Sequence, residues 1–189
     1  MKAIEFKIKQ GRLAKDKTII PKANSFLKKA RNTLMTLNFL SELNANKKVK
    51  SLLKIPNNYD SNEWIVITSY YAMYTSALAL LAKIGFRSKD HAATLLVLDE
   101  YFVKKKILDG KLFLLIKNAL FQKQELEKLS DAKHKREIAQ YSITKQTTKD
   151  IANKIKKDAY DFVNKVELIL INKTKPQKSG NILPKNSKL

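Results

Sequence analysis

A run of nineteen residues without a charged side chain, from Trp64 to Ala82, constrains the fold of this chain most. Its large apolar residues recur at alternating steps of three and four, which is the spacing of one helical face. The opposite side of the same helix is apolar as well. A helix that is apolar on all sides has to be enclosed, either by other helices or by lipid. The first face carries Trp64, Ile67, Tyr71, Tyr74, Leu78 and Leu81, and the second carries Tyr70, Met73, Ala77 and Leu80.

The same run meets the length of a membrane span. Hydroxyl side chains, however, lie inside it at Thr68, Ser69, Thr75 and Ser76. Its tyrosines stand in the middle, whereas the aromatic belts of membrane helices form at the two interfaces. The first residues carry no continuous apolar stretch, so we expect no secretory signal. We therefore expect the central helix of a bundle, no membrane contact and a cytoplasmic protein.

Helical periodicity predicts about five helices joined by short polar loops, which is an all-α, up-down bundle. Asn44–Asn46 is expected to break or bend the first helix, and Gly85 supplies a left-handed stop for the second. The helices are expected over 21–55, 60–85, 88–105, from Gly110 to about Tyr141, and after Thr147.

The two ends of the chain differ from this bundle. Residues 1–20 alternate apolar and charged side chains at Ile4, Phe6 and Ile8, which predicts a short strand or hairpin, a β-like N-terminal arm. Residues 173–189 contain five lysines, no acidic residue and two prolines, which predicts a disordered basic tail. We therefore divide the chain into an arm (1–20), a helical bundle (21–172) and a tail (173–189).

The composition excludes several kinds of site. The chain has no cysteine and four scattered glycines, so a disulfide scaffold, a thiol site and a glycine-rich phosphate loop are excluded. With two histidines, His91 and His134, a three-histidine metal site is impossible. His134 has helical spacing to Asp131 and Glu137, but this pattern is more typical of a charged helix than of a metal site. We predict no cofactor and no bound metal.

The net charge of +21 favours a polyanionic partner. The alternative is that the lysine content reflects an AT-rich genome, because lysine codons are AT-rich. Arginine is scarce, so each of Arg12, Arg31, Arg87 and Arg136 deserves separate consideration.

Four segments together resemble the HEPN family of small prokaryotic helical proteins, in the branch whose motifs read S-Y-Y-A-M-F and R-x4-Y. The resemblance spans about residues 22–171 with the segments in the same order. They are Ser69-Tyr70-Tyr71-Ala72-Met73-Tyr74, with Gly85 and His91 after it; Glu100-Tyr101-Phe102-Val103; Arg136-Glu137-Ile138-Ala139-Gln140-Tyr141; and Ala159-Tyr160-Asp161-Phe162-Val163.

The resemblance implies a bundle that forms a homodimer and either acts on RNA or pairs, as the toxin-like member, with a small nucleotidyltransferase. Catalytic HEPN proteins carry an R-x4-6-H motif and cleave RNA without metal. Arg136 matches the motif's arginine, but the residue five positions on is Tyr141, and no histidine follows His134.

That departure bears on the chemistry. Metal-independent RNA cleavage needs a base and an acid that titrate near neutrality, which imidazole supplies. A phenol, with a pKa near 10, is a poor base at pH 7. His134 lies two residues before Arg136, roughly 200° away around a helix, so it does not replace the missing group. Arg136 alone still suits bidentate binding of a phosphate.

We predict Arg136 and Tyr141 as the functional pair, with Lys133, Lys135 and Lys145 contacting a nucleic-acid backbone. The alternative is a structural pair at the end of the bundle. Tyr141 is also a possible acceptor for nucleotide transfer. We expect His91 to cap or pack, and Tyr70, Tyr71 and Tyr74 to be core or interface aromatics.

Three functions stay open at this point. The first is a toxin-like partner of a nucleotidyltransferase that binds RNA or nucleotides. The second is a ribonuclease that uses Arg136 with an unusual second group. The third is a non-enzymatic helical scaffold or protein-interaction module.

Overall fold

The structure is a computed structural model, and it describes residues 2–136 and 149–172. Within these ranges the chain forms seven α-helices and a two-stranded antiparallel sheet, which confirms the all-α bundle. The elements are α1 (Lys2–Lys9), β1 (Leu13–Lys15), a 3₁₀ helix (Lys17–Lys22), α2 (Ala23–Ala45), α3 (Lys47–Leu52), α4 (Asn62–Lys83), β2 (Phe86–Ser88), α5 (His91–Leu98), a π-helical turn (Asp99–Val103), α6 (Gly110–Arg136) and α7 (Lys149–Ile171).

Helix α4 is the centre of the bundle and contacts α2, α5, α6, α7 and the 3₁₀ helix. Tyr70, Met73 and Leu80 are among the largest fully buried side chains of the described chain. By length and composition α4 alone among the described helices is apolar enough to cross a membrane, with a mean hydropathy of 1.5, but 72% of that window is buried inside the protein. Other helices therefore cover the uncharged run, as the sequence predicts.

Helix α2 runs antiparallel to α7, and polar groups fix the register of the pair. The Arg31 guanidinium donates to Asn164 Oδ1 at 2.7 Å and also pairs with the Glu167 carboxylate. One helical turn away, the Tyr160 hydroxyl donates to the Leu34 carbonyl oxygen at 3.2 Å. Phe162, fully buried, fills the core behind this seam.

The break predicted near Asn46 is confirmed, and its cause is a cap. The Asn46 side chain accepts hydrogen bonds from the backbone N–H groups of Lys48 and Val49, so a new helix, α3, begins there. Within α3, the buried Lys50 ammonium donates to the carbonyl oxygens of Asn57 and Tyr59, at 3.0 and 2.7 Å, and holds the loop that leads to α4.

Asn44, near the end of α2, ties that helix to the start of α4. Its Oδ1 accepts from the backbone N–H of Ser61 at 2.9 Å and from the Ser61 hydroxyl at 2.8 Å. Its Nδ2 donates to Asn62 Oδ1 at 2.8 Å. Ser61 is completely buried, so these bonds replace water that the site excludes.

The first residues form a helix, so the prediction of a strand there is wrong. Ile4 and Ile8 are four residues apart, which places both on one side of a helix as well as on one side of a strand. Ile4 is buried and Ile8 partly buried, while Phe6 between them is 59% exposed. The strand comes later, at β1, and pairs with β2, which the sequence analysis did not predict.

The predicted stop after α4 is confirmed, whereas α5 begins three residues later than predicted. Gly85 has a φ of +74°, as the predicted left-handed stop requires. Helix α5 begins at His91 rather than Ser88, because Asp90 is the capping residue and accepts from the backbone N–H of Ala93 at 2.9 Å. The helical path then continues through the π-helical turn.

Replacing Asn44→Ala is expected to lower the free energy of unfolding by about 1–3 kcal/mol, because the backbone N–H of the buried Ser61 loses its acceptor, whereas the Ser61 hydroxyl still donates to the Leu40 carbonyl oxygen. Urea unfolding followed by circular dichroism measures the change. Asn38→Ala, an exposed position on α2, is the matched control and should change the value by less than about 0.5 kcal/mol. Equal effects of the two changes would contradict the role given to Asn44.

Candidate functional site

Three of the four residues predicted to bind nucleic acid belong to the last turn of α6. Arg136 is the last residue of that helix, and Lys133 and Lys135 belong to its last turn. Tyr141 and Lys145 lie outside the described residues, as does Thr147, and so does the tail beyond Asn172. The Arg136–Tyr141 pair therefore stays a prediction, anchored by one of its members to the C-terminal end of the longest helix described.

A polar cluster that the sequence analysis did not identify lies between α4, α5 and α6. The Tyr70 hydroxyl is 2.5 Å from His91 Nδ1. Tyr74, one turn further along α4, packs its ring on the imidazole at 4.5 Å between centroids. We call this group, with Lys123 and Glu127 of α6, the His91 cluster. It places a half-buried imidazole against a buried phenol in the middle of the bundle.

Lys123 supplies the charge of the His91 cluster. It is only 6% exposed, yet its ammonium has good partners: Glu127 Oε1 at 2.6 Å, and the ring faces of Tyr71 and Tyr70 at 5.4 and 5.7 Å. Burial alone lowers the pKa of Lys123, but the hydrogen bonds to Glu127 and Tyr71 outweigh it and leave that pKa raised. The lysine is therefore charged at neutral pH and compensated by a carboxylate and two aromatic faces.

The protonation states in the His91 cluster follow from its surroundings. Burial raises the pKa of the Tyr70 phenol, which keeps its proton. Burial lowers the pKa of His91, and the Lys123 charge lowers it further, against the opposing effects of Asp90 and Glu127. Within the described residues His91 Nδ1 is the hydrogen-bonding partner of the Tyr70 hydroxyl, so we assign the protonated phenol as donor, Nδ1 as acceptor and the proton of the neutral ring to Nε2.

This arrangement decides what His91 can do chemically. A general base needs a free lone pair near the proton that it takes. The lone pair of Nδ1 is occupied by the Tyr70 hydroxyl, and Nε2 carries a proton. His91 therefore packs and orders the junction of α4 and α5 rather than presenting a base to a substrate.

His91 is also too far from Arg136 to replace the missing motif histidine within one chain. Lys123 contacts Tyr70 beside the imidazole, and Arg136 follows thirteen residues later on the same helix. At 1.5 Å per residue this places Arg136 about 20 Å further along α6. The His91 imidazole and the end of α6 in one chain therefore belong to different parts of the molecule.

The structure tests the predictions for the aromatic residues and for His91 directly. Tyr70 is a core residue, as predicted, whereas Tyr71 is 42% exposed and forms a rim of the His91 cluster. His91 packs, as predicted, but does not cap, because Asp90 does. The sequence analysis did not identify Lys123, although the spacing of its neighbours on α6 indicates that it is buried. It follows Ile116 and Ala119 at steps of three and four, and so continues their buried stripe.

Two further observations concern ligands. Among the residues whose side chains the structure describes, 2–127 and 149–172, no group of three or more histidine and acidic side chains has the arrangement to hold a metal ion. A cleft of about 220 Å³ lies between α6 and α7, lined among others by Phe121, Ile155 and Asp158. Burial raises the pKa of Asp158 there, against the lowering effect of Lys154.

Comparison with known proteins gives relatives rather than a family model. No family model matches the chain, and no solved structure is similar to it. A protein named UPF0332 protein, from Archaeoglobus fulgidus, is 35% identical over 100 residues, which cover 53% of this chain and 69% of that protein. A protein named putative toxin MJ0142, from Methanocaldococcus jannaschii, is 29% identical over 147 residues, which cover 76% of this chain and 91% of that protein.

The His91 cluster predicts a pH dependence of stability. In the unfolded chain histidine titrates near its ordinary value of 6.5, and in the folded chain the pKa of His91 lies lower. The unfolded state therefore binds more protons just below pH 6.5, and the free energy of unfolding should decrease as the pH falls from about 7.5 to 5.5. Urea unfolding at several pH values measures this slope.

The variant His91→Asn keeps an acceptor for Tyr70 but has no titrating ring, so its slope should be smaller than that of the wild type. The NMR titration of the imidazole C–H signals gives the pKa itself, and the variant identifies which of the two histidines is His91. A measured pKa at or above 6.5 would show that the ring is not held neutral as described.

Proposed function

We propose, since the chain belongs to the UPF0332 family, that it is the toxin-like member of a two-protein module and that it acts by binding RNA. The observation that carries the proposal is the similarity to the protein named putative toxin MJ0142, which extends over 91% of that protein. A similarity over nearly the whole length supports a shared architecture rather than a shared fragment. The mainly helical fold of the described residues agrees with it.

Within this proposal the fold is of the HEPN type. The resemblance of the S-Y-Y-A-M segment supports this, because that segment lies in α4, the central helix of the bundle. The A-x-x-F-V segment lies in α7, and its Phe162 and Val163 are fully buried against the same core. The residues that carry the resemblance are thus in large part core residues, which supports a common bundle more strongly than a common activity.

RNA is the proposed ligand because the chain has a net charge of +21 and its best candidate phosphate contact is an arginine. Arg136 stands at the end of α6, with Lys133 and Lys135 in the same turn. In a homodimer, the state that the HEPN resemblance implies, two Arg136 side chains would border one cleft. A guanidinium suits this task because it binds a phosphate with two parallel hydrogen bonds.

The chemistry favours binding of RNA over its cleavage. The imidazole whose contacts the structure describes is that of His91, whose lone pair is occupied and whose neighbour Lys123 lies about 20 Å from Arg136 along α6. No histidine follows His134 in the sequence. The group next to Arg136 in the motif is the phenol of Tyr141, which donates a hydrogen bond well and accepts a proton poorly at pH 7.

The arrest of growth by induced expression tests the role of Arg136. We expect the wild-type chain to arrest growth and Arg136→Ala to relieve the arrest by at least tenfold in colony count at equal protein level, because the phosphate contact is lost. Lys111→Ala removes the same charge from an exposed position at the other end of α6 and should leave the arrest intact. Equal behaviour of the two variants would contradict the role of Arg136.

Incubation of the purified chain with RNA in EDTA separates the proposed function from its rivals. We expect RNA to be retained at low salt, to be released as the salt concentration rises, and to stay intact. RNA cut by the wild type and intact with Arg136→Ala would instead show a ribonuclease. No retention at low salt would favour a protein scaffold.

Tyr141 is the proposed point of control by a nucleotidyltransferase. Its phenol oxygen would attack the α-phosphorus of a nucleoside triphosphate, the bond to the β-phosphate would break with pyrophosphate leaving, and the phenolic proton would pass to a base of the transferase. After coexpression with a small nucleotidyltransferase, we expect intact-mass spectrometry to show the addition of a nucleoside monophosphate. Tyr141→Phe should abolish this addition, and an unmodified Tyr141 in the wild type would count against the proposal.

A further inference from the structure

The two-stranded sheet at the N-terminal end of the bundle presents an exposed face of cations. We call the paired segments 12–16 and 85–89 the ribbon. Ala14 lies opposite Arg87, and the pairing extends by one residue, because the backbone N–H of Lys89 donates to the Arg12 carbonyl oxygen at 2.9 Å. At the other end the backbone N–H of Asp16 donates to the Gly85 carbonyl oxygen at 2.8 Å. The ribbon is therefore regular over its whole length.

Alternation along the ribbon separates an inner from an outer face. Leu13 and Phe86 are buried, so their side of the sheet faces the core. Directly opposite residues of an antiparallel pair point to the same side, and successive residues to opposite sides. Arg12, Lys89 and Arg87 therefore share the outer face, and all three are exposed.

Like charges placed directly opposite each other destabilise a sheet, and Arg12 and Lys89 are such a pair. The nearby carboxylates do not relieve them. Asp16 is paired with Arg87 at 2.6 Å, and Asp90 is paired with Lys7 at 3.4 Å. Within the described part of the chain, neither Arg12 nor Lys89 makes an ion pair. The outer face therefore holds two opposed cations that the fold itself leaves uncompensated.

A groove of about 590 Å³ runs beside these cations. Its lining includes Lys89, Arg87 and Lys15, together with Gly11, Ala14 and the partly buried Ile8. Gly11, at a φ of +67°, has no atom within 4 Å of the position that a Cβ would take, so the groove is open there to an incoming ligand. Arg87 is already paired with Asp16, so Lys89 in the groove and Arg12 opposite it are the cations left to meet the anionic groups of an extended ligand.

We infer that the ribbon groove binds the sugar–phosphate backbone of single-stranded RNA. The choice of RNA among polyanions rests on the proposed function, and the inference adds a second contact surface, separate from Arg136. A linear ligand with regularly spaced phosphates fits two uncompensated cations that stand side by side on the outer face next to an open groove. An acidic protein segment is the competing occupant, and the experiment includes it.

The test measures the binding of a fluorescein-labelled oligouridine of about 20 nucleotides by anisotropy, at several salt concentrations. The variant is Arg12→Gln with Lys89→Gln, made in the full chain. Two lost phosphate contacts should lower the slope of log affinity against log salt by about 1.4 and weaken binding roughly 25-fold near 0.1 M salt. The matched control, Lys28→Gln with Lys47→Gln, removes the same charge from exposed sites on α2 and α3 and should bind nearly as the wild type does.

A second measurement excludes unfolding as the cause. Because the substitution relieves a like-charge pair, the ribbon variant should melt at or above the wild-type temperature while binding RNA more weakly. Equal loss of binding in the ribbon and control variants overturns the inference, since general charge would then explain it. Competition by poly-glutamate as effective as that by unlabelled oligouridine also overturns it, in favour of an acidic protein partner.

Failure of the inference and failure of the proposed function are distinguishable. If the ribbon variant binds as the wild type does while Arg136→Ala relieves growth arrest, the groove assignment is wrong and the proposed function stands. If the ribbon variant loses binding while the wild-type chain causes no growth arrest, the groove assignment stands and the toxin-like role is wrong.

Discussion

The burial of α4 is the constraint on which the rest of the described structure depends. A helix with nineteen consecutive uncharged residues is stable in water only when most of its surface is covered. Helices α2 and α7 cover two sides of it, α6, α5 and the 3₁₀ helix pack on the others, and Trp64 and Tyr71 remain partly exposed. Full burial of each large side chain stabilises the fold by about 1.5–3 kcal/mol, so this one helix provides a large part of the driving force for folding.

The parts of the fold that the sequence predicted correctly are those in which apolar spacing has one solution. The central helix, its stop at Gly85 and the break at Asn46 follow from local chemistry and appear in the structure. The N-terminal segment was predicted wrongly because Ile4 and Ile8 share a face in both a helix and a strand, and only the exposure of Phe6 distinguishes the two. The pairing of β1 with β2 joins residues more than seventy positions apart. A strand of three residues is too short for its alternation of apolar and polar side chains to be recognised in the sequence.

The candidate functional sites were harder to predict from the sequence than the helices, because they join residues that are distant in the sequence. A sequence motif names Arg136 and Tyr141 by resemblance, and no local pattern links them to the surface formed by residues 12–16 and 85–89. The His91 cluster draws on α4, α5 and α6, so its hydrogen bond from Tyr70 and its buried lysine become visible only when three helices are placed together. Lys123 could have been found from its place on the stripe of Ile116 and Ala119, had a charged residue been allowed at a buried position.

The arginines of the described structure differ in whether their charges are paired within the fold. Arg31 binds Asn164 and Glu167 and fixes the seam between α2 and α7, and Arg87 binds Asp16 at the end of the ribbon. Both are satisfied within the fold. Arg12 stands on the outer face opposite Lys89, and within the described part of the chain it makes no ion pair. We assign this charge to the inferred ligand of the ribbon, because a phosphate backbone would supply the missing negative charge at every step along its length.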